Sequence, residues 1–296
     1  MNNMESLFIP YDATTVLPTG NVLVLAPHPD DEVFGCGGAI MQHVAQRNPV
    51  TVIIVTDGQA ATTHLDEASL LNYIKIRQQE SRKASQILGY TNPKFWNIAD
   101  RTLECNNELI QRLIQVIQQN QITQVYAPSV MEVHPDHYAL AMLAVEAVKY
   151  CGDNVTLAMY EVGVPLYPNM LLDITSVLQR KSEAIACFNS QLNILDYSHQ
   201  LQSLNGYRSY TLSPLVKAAE AYYVVDSTTL QQQPWRRFGN SRQNVELEEV
   251  YSKIKQLETT ITQQSNELST VYNSHSWRLT TPLRWLNSLM RKVVKK

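Results

Sequence analysis

The chain is predicted to be an α/β protein: a Rossmann-like, mostly parallel sheet flanked by helices, followed by a C-terminal coiled-coil helix and a basic amphipathic tail. Three observations lead there. Short, wholly apolar runs alternate with helical segments from Val22 to Glu161. A seam of apolar residues spaced alternately by 3 and 4 runs from Leu247 to Val271. From His275 onward there is no Asp or Glu, whereas Arg278, Arg284, Arg291, Lys292, Lys295 and Lys296 all fall there.

Each element follows from its pattern. Val22 to Ala26 (VLVLA) and Val50 to Thr56 (VTVIIVT) lack the alternation of a half-exposed strand, so both read as buried parallel strands. Gly38 to Gln46 between them reads as the crossover helix of a βαβ unit, which is right-handed by rule. Leu70 to Leu88 is a long helix stopped by Gly89, and Lys94 to Trp96 a short strand. Asn107 to Gln119 sets Leu109, Ile110, Leu113, Ile114 and Ile117 on one helical face. Gln124 to Ala127 is a strand, Ala139 to Lys149 a helix and Leu157 to Glu161 a strand. Beyond Pro165, Ser176 to Phe188 and Ser198 to Tyr207 read as helices and Tyr222 to Val225 as a late strand.

The predicted organisation is a catalytic domain over 1–230, a linker over 231–244, a coiled coil over 245–273 and a tail over 274–296. The seam is Leu247, Val250, Ile254, Leu257, Ile261, Gln264, Leu268 and Val271, with Gln264 as its polar member, and predicts a homo-oligomer. Pro282 suits a first helical turn, and Leu283, Leu286, Leu289, Met290, Val293 and Val294 follow at helical spacing among basic residues. Such a helix lies on an anionic membrane surface or docks a protein partner.

Net charge is −3 with 17% charged and 44% hydrophobic residues, which excludes a wholly disordered chain and a nucleic-acid binder by bulk electrostatics. Cys36, Cys105, Cys151 and Cys187 are scattered without a CxxC pair and read as reduced thiols. No basic segment followed by an apolar stretch opens the sequence, and no apolar run approaches the roughly 20 residues a bilayer needs. The expected location is cytoplasmic, peripheral on the inner membrane face.

The chemistry sits directly after two predicted strands. Pro27-His28-Pro29-Asp30-Asp31-Glu32 follows the first, and His134-Pro135-Asp136-His137 follows the strand ending at Ala127. In open α/β sheets the carboxyl ends of the strands form the ligand crevice, so the two clusters can converge. Imidazole and carboxylate suit zinc, which in catalytic sites takes three protein ligands and keeps a place for water. Two His and one carboxylate would make such a set, and ferrous iron accepts the same donors. A free carboxylate beside the metal can take a proton, and a cationic His can give one. Taken singly, each cluster also reads as a strand-end loop and a helix cap.

Together these residues resemble the PIG-L/LmbE-like family of zinc-dependent N-deacetylases. The likeness runs through Ala26-Pro-His-Pro-Asp-Asp-Glu-Val-Phe-Gly-Cys-Gly-Gly38, Thr56-Asp-Gly58, Arg77-Gln-Gln-Glu80, His134-Pro-Asp-His137, Tyr160-Glu-Val162, Ser190-Gln191 and Ala219-Glu-Ala221. The resemblance implies that His28, Asp31 and His137 bind zinc and that Asp30 is the general base. It implies His134 as the cationic group that stabilises the oxyanion and protonates the leaving amine, oriented by Asp136, and Arg77 as a substrate contact. It implies hydrolysis of the acetamide of an N-acetylglucosamine-type sugar. Ser276-Trp-Arg-Leu-Thr-Thr-Pro-Leu-Arg284 is similar to the ends of bacterial polysaccharide glycosyltransferases, which points to cell-surface glycan synthesis. A small glycoside of low-molecular-weight thiol synthesis is the alternative substrate, and a membrane-associated assembly protein for glycosyltransferases the alternative role.

Overall fold

The structure is a computed structural model that describes residues 10–62, 66–152, 154–232 and 242–284. It divides into two units, the second beginning at Arg242. In the first, β1 (Asn21–Ala26), α1 (Asp31–Ala45), β2 (Val50–Thr56), α2 (Glu67–Leu88), β3 (Lys94–Ile98), α3 (Asn107–Gln119), β4 (Ile122–Pro128), α4 (Pro135–Lys149) and β5 (Thr156–Tyr160) alternate along the chain. Then come β6 (Met170–Asp173), α5 (Leu178–Ile185), α6 (Asn189–Leu192), α7 (Tyr197–Tyr207), β7 (Ala219–Asp226) and α8 (Ser227–Gln232). The second unit holds α9 (Arg242–Asn273) and α10 (His275–Leu279).

The strands form one sheet in the order β3-β2-β1-β4-β5-β7-β6. β1 pairs in parallel with both β2 and β4, so the chain reverses its direction of travel across the sheet between those neighbours. That reversal opens a crevice at the carboxyl ends of β1 and β4. β7 pairs antiparallel with β5 and β6, which closes the far edge.

The strand period of two sorts the core into layers. Val22, Val24 and Ala26 face one apolar cluster with α1 and Phe188, whereas Leu23, Leu25, Ile53 and Val55 face the other with α3 and α4. Both faces of the central strands are therefore buried, which is why these runs show no polar alternation.

α1 begins at Asp31, seven residues before the predicted start, but it is broken inside: Cys36 has φ −140° and ψ 22°. Its second half is the predicted helix, and it has its own cap. The Glu220 carboxylate accepts from the Gly38 amide at 2.6 Å and the Ala39 amide at 2.9 Å. Lys181 Nζ lies 2.7 Å from Glu220 and also donates to Phe34 O and Asn205, and the Tyr222 hydroxyl donates to Glu220 at 2.6 Å. The break also needs small residues, since a Cβ at Gly35 would lie 2.1 Å from the Tyr160 ring and one at Gly38 2.3 Å from Ile174. Gly35 and Gly38 are thus packing requirements.

α4 likewise begins at Pro135, not Ala139, because the His-Pro-Asp-His stretch is the first helical turn, with Pro135 in the position where a missing N–H does no harm. β6 was not anticipated, since four residues carry too little pattern. α8 reaches into the expected linker as far as Gln232, and the rest of that segment to Ser241 lies outside the described residues. The expected coil is helical throughout as α9. Ser274 caps α10 by accepting from the Trp277 amide, and the Arg284 guanidinium stacks 3.8 Å from the Trp277 ring centroid. The amphipathic tail beyond Arg284 lies outside the described residues.

Two outcomes are expected. Glu220→Ala leaves a buried ammonium unpaired and a helix start uncapped, and should lower unfolding free energy by about 3–5 kcal/mol in urea titrations; a loss below about 1 kcal/mol would refute the capping role. His43, fully buried in α1, has Nε2 2.9 Å from the Tyr126 hydroxyl and Nδ1 2.9 Å from the Asn48 amide nitrogen, so Nδ1 must accept. Burial lowers its pKa to about 4. The unfolded chain takes up this proton first, so stability present above pH 6.5 falls by about 3 kcal/mol as pH drops toward 4. His43→Gln should flatten that slope in unfolding curves recorded across the window.

Candidate metal centre and active site

The crevice is built by loops that hold one another. Pro27 O accepts from both Thr56 N and Thr56 Oγ1 at 2.8 Å, so the exit of β1 is tied to the end of β2. The Asp57 carboxylate accepts from the Gln59 and Asp100 amides, which joins the ends of β2 and β3. Gly58 has φ +67°, and a Cβ there would lie 2.1 Å from Arg77 Nη1. Arg77 is buried, and its guanidinium donates to Gly58 O at 2.7 Å, Pro29 O at 2.7 Å and the Asp30 carboxylate at 3.0 Å. It lines the cavity, with Nη1 and Nη2 engaged by these groups and Nε without a protein partner.

Asp30 sits at φ +136° and ψ −35°, a conformation that side chains rarely adopt and that costs on the order of 1–3 kcal/mol. It is held from both sides: its amide donates to Glu32 Oε2 at 2.9 Å, and its carbonyl accepts from the Val33 and Phe34 amides at 2.9 Å. Glu32, buried completely, is therefore a backbone clamp for this turn. Burial pushes the Asp30 carboxyl up to about 7 against the pull of Arg77, with Asp31 adding to the rise.

The Asp31 carboxylate is the meeting point. Its Oδ2 lies 3.1 Å from His28 Nδ1 and 3.2 Å from His137 Nε2. Donors bound to zinc at 2.0–2.1 Å in a tetrahedron are separated by about 3.3 Å, and each of these two contacts matches that spacing. His28, His134 and His137 also present ring nitrogens within 4.8 Å of one another, as do the donors of His28, Asp100 and Asp136. Burial would raise Asp31, but the His137 and His28 imidazoles outweigh it and hold the carboxyl far below its usual range. Burial would lower both imidazoles; Asp31 and Glu132 raise His137 to about 9, and Asp100, Asp136 and Asp31 raise His28 well above its ordinary value. A set of two imidazoles held as cations by one carboxylate is a set that a metal cation can join by displacing protons.

The remaining residues surround this point. His28 Nε2 faces Asp136 at 3.2 Å and Asp100 at 3.3 Å, which orients the ring. The Asp136 carboxylate, fully buried, also accepts from the Arg101 and Leu103 amides. It therefore serves His28 rather than carrying the expected tie to His134. Its link to His134 runs through the backbone, where Asp136 N–H donates to His134 Nδ1 at 3.3 Å. Burial and the charged neighbours His28 and His137 lower His134. That direction runs against the expected cationic role, and with Nδ1 accepting from the Asp136 amide, Nε2 is the nitrogen left to donate.

Three functional positions escaped the sequence reading. Asp100 lies beyond a weak strand, with no motif to flag it. Tyr197 lines the cavity from α7, near the Phe34 ring at 5.5 Å. Glu132 is the third. Its carboxylate accepts from three successive amides, Val162 at 2.8 Å, Gly163 at 3.1 Å and Val164 at 3.2 Å, and lies 3.4 Å from His137 Nδ1. One acidic residue two positions before His134 was the available signal. The cavity above these groups measures about 310 Å³, room for a sugar-sized ligand.

Fold and site together define a metal-dependent hydrolase built at the switch point of a parallel sheet. Residues 23–148 match the family described as GlcNAc-PI de-N-acetylase, PIG-L. It is 28% identical over 186 residues to the diacetylchitobiose deacetylase of Thermococcus kodakarensis, covering 57% of this chain and 69% of that one. It is 27% identical over 217 residues to a probable N-acetyl-alpha-D-glucosaminyl L-malate deacetylase 2 of Bacillus cereus, covering 71% and 92%. The solved N,N'-diacetylchitobiose deacetylase from Pyrococcus horikoshii superposes with a TM-score of 0.65 at 25% identity, covering 72% and 86%. A Pseudomonas putida 4-oxalmesaconate hydratase, 26% identical over 200 residues and covering 61% and 77%, shows that relatives of this domain also carry a different reaction. His28 with His134 and His137, or with Asp100 and Asp136, could hold a metal ion, and imidazole and carboxylate donors suit zinc.

Glu132→Ala should weaken zinc binding by about 10–100-fold in competition with a chromophoric chelator, since it removes the carboxylate behind His137. Unchanged affinity would show that the Glu132–His137 approach is incidental.

Proposed function

We propose that this protein is a zinc-dependent N-deacetylase of an N-acetylglucosamine-type sugar used in cell-surface glycan synthesis. The observation that carries the reading is the convergence of His28 and His137 on one Asp31 oxygen, with Asp30 and His134 bordering the same cavity. His28, Asp31 and His137 would hold the metal. When bound, zinc supplies a water that ionises near neutral pH and polarises the acyl oxygen.

The chain's own groups do the rest. Asp30, with its carboxyl raised by burial, takes a proton from the attacking water. His134, which lines the cavity with Nδ1 accepting from the Asp136 amide, donates a hydrogen bond from Nε2 to the oxygen that becomes negative. The proton taken by Asp30 passes to the nitrogen as the C–N bond breaks, giving acetate and a free amine. Arg77 keeps the Asp30 turn in place and so acts on the base rather than on substrate. Asp136 positions His28 and, through its amide, His134.

The substrate class rests on relatives named for N-acetylglucosamine-containing substrates. A small glycoside of thiol synthesis is the second reading, favoured by the Bacillus cereus relative's N-acetylglucosaminyl malate name. The basic segment after α9 favours the first: Arg278 and Arg284 lie there without acidic neighbours, suited to the inner face of a membrane where lipid-linked sugars are assembled.

Acetate release from UDP-N-acetylglucosamine, N-acetylglucosamine oligomers, lipid-linked N-acetylglucosamine and N-acetylglucosaminyl malate distinguishes these. Asp30→Asn should lower kcat/KM by about 10²–10⁴-fold while stoichiometric zinc is retained. Release of acetate at the wild-type rate by Asp30→Asn would overturn the assigned base, and no release from any of the four would overturn the substrate class.

A further inference from the structure

The stripe along α9 has a chemistry that the catalytic reading leaves unused. Ile254, Leu257, Ile261, Leu268 and Val271 are 44, 61, 64, 53 and 48% exposed. Five large apolar side chains on one helical face are a surface that normally has a cover, each being worth about 1.5–3 kcal/mol on full burial. The heptad places Leu247, Ile254, Ile261 and Leu268 at the a positions and Val250, Leu257, Gln264 and Val271 at the d positions.

We propose that α9 is covered by α9 of a second copy, in a parallel, in-register, two-stranded coiled coil. Gln264 decides between arrangements. In a parallel pair in register it faces Gln264 of the second copy, and two amides can hydrogen-bond to each other. In the antiparallel pairing that keeps the whole seam together, it faces Ile254, and both amides are buried without a partner.

The flanking charges agree. Lys253 is a g position and Glu258 the e position that meets it across a parallel interface, so each copy's Lys253 pairs with Glu258 of the other. Antiparallel pairing would instead set Glu258 near Glu258 of the second copy. The central layer, Ile254 at a with Leu257 at d, is the combination that favours two strands, flanked by outer layers with Leu at a and Val at d.

Sedimentation equilibrium of the full chain should give a dimer. Lys253→Glu should weaken self-association on the order of tenfold, and Lys253→Glu with Glu258→Lys should restore it. Gln264→Cys should give a covalent dimer on a non-reducing gel that wild type, with its own four cysteines, does not give. A monomer, a trimer, no effect of Lys253→Glu, or cross-linking that requires Ile254→Cys together with Gln264→Cys would each overturn the proposal. None of these outcomes bears on acetate release, which is read separately.

Discussion

The buried pair of Lys181 and Glu220 holds the rest of the catalytic unit to its shape. Glu220 comes from the antiparallel strand β7, Lys181 from α5, and the amides they secure belong to the second half of α1. Both side chains are 1% exposed, so the pair stands in a low dielectric and is satisfied only as a complete network. With the second half of α1 fixed, its first turn is left pointing Asp31 at the ends of β1 and β4. The late, irregular part of the chain thus acts on the site at a distance, as an anchor.

The site itself stores strain. Asp30 occupies an unfavourable backbone conformation while its amide, carbonyl and carboxylate are all engaged. Such a turn persists only because Glu32 and Arg77 overdetermine it. Arg77 grips Pro29 O and Gly58 O at once, so the loop after β1 and the loop after β2 move as one body. That is the preorganisation a base needs beside a metal, since misplacement by about 1 Å can cost about a hundredfold in rate.

Much of the parallel sheet was legible in advance because buried central strands have a recognisable composition: β1 and β2 are mostly Val, Leu and Ile. The two His/Asp clusters were legible because chemistry-bearing residues stood directly after such strands. Helix starts were less so. Gly35, Gly37, Gly38 and Pro135 argue against helix by propensity, yet Tyr160, Ile174 and the free first turn of α4 make them acceptable or necessary. Partners across long sequence distances were the least legible. That Asp136 serves His28, Arg77 serves Asp30 and Glu132 serves His137 depends on tertiary approach, which no local pattern encodes.

Glu132 receives three consecutive amides of the segment after β5, and that segment forms one wall of the cavity. The wall is fastened at two carboxylates, since Glu161 accepts from the Leu166 amide and from Arg208, which also donates to Leu166 O. Residues past Leu166 can vary with least effect on the metal donors, provided both carboxylates keep their amides. The arrangement separates the inheritance of chemistry from that of selectivity: loop grafting downstream of this anchor is the place to redirect the enzyme to a new acyl sugar.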